Sequence, residues 1–278
     1  MTAAASPLAL RDRLEKDLAR GTSDLPTLPR SATEALRLAR MPSVDFDDLA
    51  RVAGADPPLA ARVVSVANSA AYARGGMPKI ASVRQAAVRI GIQATRDVLY
   101  QVAYASIFVD TPRFRERVEA TFQHGAATAR ATRIFAADCG LDLDIAFLSG
   151  LLHDLGRARC WKLLARCRDA VDDVAVAVEA VDALHATAGA ELAAAWHLPD
   201  EVVDVCRWHH EPSGRPYPLL VAAADAISPL DPENEDAARA HAWLVEAGIP
   251  EGQADSLVEE ARTDAKQQGA PPAGQGTK

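Results

Sequence analysis

His153 and Asp154 stand side by side at the end of an apolar helical run, and His124, His185, His209, His210 and Asp225 each lie in or beside a similar run. Imidazole and carboxylate are the ligands that borderline divalent metals accept, among them zinc, iron, nickel and manganese. If these seven residues serve one site, separate helices must project inward to a common point, as bundle folds do when they build metal centres. Successive residues on a helix point about 100° apart. The His153-Asp154 pair therefore reaches one ion only where a helix ends or is distorted, and Gly156 is expected to supply that end. A metal site with open positions polarises a phosphoryl oxygen or activates water.

Each residue has a plainer reading of its own. A lone histidine on an apolar helix is more often a hydrogen-bonded core residue, and one of His209 and His210 suits a helix C-terminus through the dipole. Their joint arrangement is what points to metal. Arg157, three residues after Asp154, carries planar donors suited to a phosphate beside the ion, or is an exposed arginine at a helix end. His197 and His241 read as surface or packing residues. Cys160 and Cys167, seven apart, read as small core residues rather than ligands.

The 278 residues suffice for one large helical domain or two modest ones. Hydrophobic residues reach 49% while aromatics are only 5%. Much of the apolar content is alanine, which suits close helix packing better than sheets, so an all-α protein is expected. The net charge of −8 argues against an electrostatic grip on nucleic acid or anionic lipid. Arg113, Arg115, Arg117, Arg130 and Arg133 are interleaved with acidic and apolar residues and read as a solvated helix face. Cys139, Cys160, Cys167 and Cys206 include no Cys-x-x-Cys pair. With no secretory signal or membrane-spanning stretch in view, reduced thiols and a cytoplasmic setting are expected, with no membrane partner.

Along the chain, residues 1–24 read as a helical lead-in with Leu10, Leu14 and Leu18 at helical spacing. The two prolines of Leu25-Pro26-Thr27-Leu28-Pro29 make a fixed entry loop. Residues 25–112 read as a bundle of short helices. Ser43 is placed to cap one of them, Asp56-Pro57 to open the next and Ser82 another, with Gly54 and Gly91 as stops. Asn68 and Ser69 read as inter-helix hydrogen-bonding residues. Residues 113–230 carry the candidate chemistry, with helices near 114–139, 145–152, 171–181, 185–196, 199–210 and 219–227. Residues 231–263 form a helical extension. Residues 264–278, rich in Gly, Pro and polar side chains, read as a disordered tail.

Taken together, Leu25-Pro26-Thr27-Leu28-Pro29, Asp56-Pro57, Ala67-Asn68-Ser69-Ala70-Ala71-Tyr72, Ile80-Ala81-Ser82-Val83 and Phe147 through Gly156 closely resemble the HDOD family, the HD-related output domains of bacterial signalling proteins. The resemblance continues through Trp196-His197-Leu198-Pro199 and His209-His210-Glu211-Pro212. It implies a helical N-terminal subdomain packed on an HD-like bundle, related to metal-dependent phosphohydrolases and to HD-GYP phosphodiesterases. By motif position His124, His153, Asp154, His185, His209, His210 and Asp225 match the ligand set of the catalytic relatives, which implies a divalent metal: Fe, Mn, Zn or Ni. Asp154, with Arg157, is the candidate catalytic residue. The loop from His210 to Pro218 lacks the Gly-Tyr-Pro motif, which weakens a reading as a cyclic-di-GMP hydrolase. The favoured expectation is a stand-alone regulatory domain that binds a signalling protein or a nucleotide, because flanks this short leave no room for a receiver or cyclase module. The alternative is a metal-dependent phosphohydrolase acting on a nucleotide or cyclic dinucleotide.

Overall fold

The computed structural model describes residues 7–20, 30–39, 41, 43–69, 71–73, 77–108, 111–167, 174–228 and 236–268. The fold is all-α, with no strand among the described residues. The chain forms two compact units, residues 26–110 and residues 1–25 together with 111–278. In chain order the helices are α1 (Pro7–Arg20), α2 (Arg30–Ala39), α3 (Phe46–Gly54), α4 (Pro57–Ala67), α5 (Val83–Ile90), α6 (Ile92–Ile107), α7 (Arg115–Asp138) and α8 (Leu143–Leu152). They continue as α9 (Leu155–Ala165), α10 (Val174–Ala195), α11 (Asp200–Trp208), α12 (Pro216–Asp225), α13 (Ala237–Glu246) and α14 (Glu251–Gln268).

The smaller unit holds α2 to α6. Its caps differ from two expectations. Asp45 rather than Ser43 caps α3, its carboxylate accepting from the amides of Asp47 and Asp48 at 2.9 and 2.8 Å. Asp56 precedes α4 but makes no side-chain cap hydrogen bond. Pro57 and Pro58 leave the first turn with few amides to satisfy. Ser82 caps α5, and Gly91, with φ of +87°, joins α5 to α6 through a backbone shape that side chains resist. Asn68 closes the unit: its amide donates to the Ile80 carbonyl at 2.7 Å, and its side-chain oxygen accepts the Ile80 amide at 2.9 Å. One side chain thus satisfies both main-chain groups of Ile80 in a segment without secondary structure. The entry loop 25–29, Pro42, Ala70, Gly75 and Gly76 lie outside the described residues.

In the larger unit, α1 packs on α9 and α10. Leu10, Leu14 and Leu18 are its buried stripe. Buried Arg159 ties these elements together, donating to the Ala188 carbonyl at 2.9 Å, to Glu191 at 3.0 Å and to the Leu18 carbonyl at 3.4 Å. Where the sequence pattern predicts two helices, near 171–181 and 185–196, a single helix α10 runs from Val174 to Ala195. Asp182 and His185 break its apolar pattern because they face a polar centre, not because the backbone stops. A second core joins α7, α12, α13 and α14 through Phe135, Leu220, Leu244 and Leu257. Helix α14 runs to Gln268, past the expected onset of the tail at 264, and the remainder of that tail lies outside the described residues.

Glycines set how closely the central helices approach. A Cβ on Gly156 would stand 1.8 Å from the His185 carbonyl oxygen, and one on Gly150 would stand 2.6 Å from Ala129 Cα. Contrary to expectation, Gly156 therefore does not end a helix; it lies in the first turn of α9 and lets that turn press against α10. The break falls earlier, because α8 ends at Leu152 and α9 begins at Leu155, leaving His153 and Asp154 in the turn between them.

Candidate metal centre

That turn directs two consecutive side chains toward the same interior. The other five residues arrive from the middle of α7 (His124), the middle of α10 (His185), the end of α11 (His209, His210) and the end of α12 (Asp225). All seven meet in the larger unit. His124, His153 and Asp225 bring ligand atoms within 4.8 Å of one another, as do His185, His209 and His210, and as do His153, Asp154 and His209. Asp154 stands between the two outer groups. Its Oδ1 is 3.4 Å from His185 Nε2 and 3.6 Å from His209 Nε2, while its Oδ2 is 3.7 Å from His153 Nε2.

The backbone decides which imidazole nitrogen faces inward. His153 Nδ1 lies 2.8 Å from the Gly150 carbonyl, His185 Nδ1 2.9 Å from that of Asp182, and His209 Nδ1 3.0 Å from that of Val205. A carbonyl only accepts, so each Nδ1 carries a proton and each Nε2 faces the centre, where its lone pair is available to an ion. This is the orientation that outer partners impose on metal-bound imidazoles. Inward nitrogens crowd one another: His185 Nε2 is 2.9 Å from His210 Nε2 and 3.3 Å from His209 Nε2, and His124 Nε2 is 3.2 Å from His153 Nε2. Asp154 Oδ1 is buried with no hydrogen-bond partner. Lone pairs facing lone pairs around an unsatisfied buried carboxylate oxygen are costly unless a cation lies among them. The donor set is nitrogen and oxygen only, which suits Fe, Mn, Zn or Ni. Cys206 is buried nearby but donates to the Leu152 carbonyl at 3.2 Å, and burial pushes its thiol well above the usual range, so it is no ligand.

Burial keeps His153, His185 and His210 neutral, while both carboxylates stay charged. Burial lowers His153 to about 4 and His185 to about 3. Burial works against Asp154 and Asp225 too, yet the histidines and, for Asp154, Arg157 outweigh it and hold both well below the usual carboxylate range. His124 is raised: burial opposes its charge, but Asp225, 2.8 Å away, prevails. Its Nδ1 meets Ser228 Oγ at 3.1 Å.

Arg157 is not a free phosphate hand. Its Nε donates to Asp154 Oδ2 at 2.8 Å and its Nη1 to Asp182, so it orients the central carboxylate. Asp182 and Ser228 escape sequence reading, since neither belongs to a spaced pattern. Five of the seven, His124, Asp154, His209, His210 and Asp225, line a cleft of about 1030 Å³ whose walls also include Arg117, Gln123, Trp161, Arg239 and Trp243, while His153 and His185 lie buried behind it. Arg117, read from sequence as part of a solvated face, thus belongs to the cleft. Tyr217 does not line it, because its hydroxyl accepts the Asp142 amide at 3.1 Å. His197 is an exposed residue with φ of +53°, and His241 pairs with Asp255 at 2.7 Å, both away from the centre.

The sequence model of the HDOD domain matches residues 25–212. Among solved structures, a provisionally named metal-dependent phosphohydrolase from Shewanella amazonensis aligns with a TM-score of 0.66 at 22% identity, covering 92% of this chain and 98% of that one. An HDOD domain protein of unknown function from Geobacter sulfurreducens aligns with a TM-score of 0.66 at 22% identity, covering 94% and 96%. A provisionally named signal transduction protein from Marinobacter aquaeolei aligns at 0.65 and 23%, covering 94% of this chain and 64% of its own. At such identities these likenesses speak for the fold. Among curated proteins, an uncharacterized Treponema pallidum protein is 24% identical over 71% of this chain, and a ribonuclease Y from Thermus thermophilus is 36% identical over 40% of it. The chain spans 40% of the length of the first and 16% of the second. No described helix is long and apolar enough to cross a membrane.

Proposed function

The chain belongs to the HDOD domain family, and from that premise we propose that it is a metal-dependent phosphohydrolase acting on a nucleotide or cyclic dinucleotide. The sequence alone favours a regulatory role. What moves the balance is one observation: the buried Asp154 Oδ1, unpartnered, faced by the inward nitrogens of His185 and His209. A merely structural core has no use for such an arrangement. The shared bond type of the readings is the phosphoester, and the name ribonuclease Y among the relatives makes a phosphodiester the first candidate. The acidic net charge still disfavours long nucleic acid as substrate.

In this reading His124, His153 and Asp225 would hold one ion and His185, His209 and His210 a second, with the Asp154 carboxylate within reach of both groups. Metal bound there supplies Lewis-acid polarisation of a phosphoryl oxygen and a nucleophile from water at neutral pH. The residues do the rest. The Nδ1–H bonds to Gly150, Asp182 and Val205 keep three rings aimed before substrate arrives. Arg157 fixes Asp154 and adds positive charge beside the reacting phosphate. Trp161, 4% exposed and packed against Phe114, lines the cleft with apolar surface.

Incubating manganese- or iron-loaded protein with a panel of nucleotide phosphomonoesters, phosphodiesters and cyclic dinucleotides tests the proposal. Turnover of at least one phosphodiester, lost in Asp154→Ala, is expected; metal-loaded protein inert toward the whole panel would remove it. A regulatory reading retains one specific support in the smaller unit. An apolar groove there, lined by Ala71, Met77, Ile80 and Val88, leaves Met77 55% and Val88 50% exposed, a surface suited to a signalling protein.

A further inference from the structure

Part of the cleft wall comes from α13, beyond the span 25–212 that the family model matches. Asp236 starts that helix. Its amide donates to the Ala226 carbonyl at 2.8 Å, immediately after Asp225, and its carboxylate caps α13 by accepting the Arg239 amide at 2.9 Å. The start of α13 is thereby fixed to the same end of α12 that presents Asp225. Arg239 follows one turn on and Trp243 a further turn on, and the Arg239 guanidinium lies 4.4 Å from the centroid of the Trp243 ring. Arg239 is exposed while Trp243 packs partly into the core of α7, α12 and α14. Both line the cleft that contains His209, His210 and Asp225.

We propose that Arg239, lying over the Trp243 ring, is the platform on which the base of a nucleotide stacks, and so determines this chain's selectivity for nucleobase-bearing phosphoesters. This rests on the metal centre as the phosphate site described above. An arginine pinned on an indole keeps its outer planar face toward solvent, and guanidinium planes stack bases as aromatic rings do. Its edge donors remain able to reach a phosphate. The cleft has room for both parts: at about 1030 Å³ it lies at the upper end of small-molecule pockets, roughly 300 to 1,000 Å³, and well beyond the needs of a phosphate alone. Arg117 and Gln123, on α7, line the same cleft and add polar contacts for the sugar.

The test is calorimetric binding of adenosine 5′-monophosphate and of ribose 5-phosphate to the manganese-loaded full chain, which needs no turnover. Wild-type protein should prefer the nucleotide by about tenfold to a hundredfold, the range that base stacking gives. Arg239→Ala should erase that preference while ribose 5-phosphate binding changes by less than about threefold. Arg239→Lys, which keeps the charge without the plane, should not restore it. Trp243→Leu, which keeps an apolar side chain in the core, should weaken it as well. Equal binding of the two probes by wild-type protein, absence of binding to either, or an unchanged preference in Arg239→Ala would overturn the inference. If the preference appears and vanishes as described while no phosphoester is turned over, the platform stands and the hydrolytic reading falls.

Discussion

At the residue scale, Asp154 carries the account. Its Oδ1 has no protein donor, and its Oδ2 has one, Arg157. Partners that orient metal ligands are each worth about 10- to 100-fold in metal affinity or activity. Arg157→Ala is therefore expected to weaken metal binding by about that factor in competition titrations with a chelating dye, without removing the site. Unchanged affinity would mean that Arg157 acts elsewhere. The imidazoles also make stability depend on pH. In the metal-free folded protein His153 titrates at about 4 and His185 at about 3, against about 6.5 in the unfolded chain. Between those values the unfolded state binds more protons, so the contribution of these two rings is full above about pH 6.5 and declines as pH falls toward 4, while the raised His124 acts in the opposite direction. His153 alone contributes up to roughly 3 kcal/mol across that window. The depressed Asp154 and Asp225 act in the same direction, with their share lost only as pH falls below the ordinary carboxylate value. Thermal melts of chelator-treated protein from pH 7 to 4.5 should show a steady drop in midpoint, and a flat profile would refute the buried neutral rings.

At the element scale, the centre depends on how closely α9 approaches α10. Gly156→Ala places a methyl against the His185 carbonyl and must push the two helices apart. Overpacking of this kind costs about 1 to 3 kcal/mol, and here it also separates Asp154 from His185. Both melting temperature and metal content should fall. Gly252, in α14, has open space within 4 Å of where an alanine methyl would sit, so Gly252→Ala should gain about 0.5 to 1 kcal/mol through helix propensity with metal content unchanged. In the smaller unit, Asn68→Ala leaves both main-chain groups of Ile80 without their partner and should cost about 1 to 3 kcal/mol. Faster hydrogen exchange at the Ile80 amide is its signature. The helices themselves are legible in sequence because alanine-rich apolar periodicity and Pro and Gly stops are local signals; α1, α5 and α8 lie close to where those signals put them. Helix α10 reads as two because the site's own polar residues, Asp182 and His185, interrupt its pattern. Gly156 reads as a helix stop because a close approach between helices leaves no mark in local spacing.

At the scale of the whole molecule, the seven ligand-type residues are visible in the sequence through their type and order. Their mutual distances are not, since they rest on how α7, α8, α9, α10, α11 and α12 pack on one another. Nor is the cleft wall, because Arg239 and Trp243 gain meaning only when α13 is tied back to α12. The seven ligand-type residues all lie in the larger of the two compact units, outside residues 26–110. The proposed chemistry requires that the ligand groups on either side of Asp154 each hold an ion. The direct measurement is metal stoichiometry by plasma mass spectrometry on protein made without a histidine tag and reconstituted with iron or manganese. The account predicts about two equivalents per chain in the wild type, about one in either His124→Ala or His210→Ala, and close to none in Asp154→Ala. Wild-type protein that folds normally yet holds no metal, or an Asp154→Ala variant that holds as much as the wild type, would contradict it.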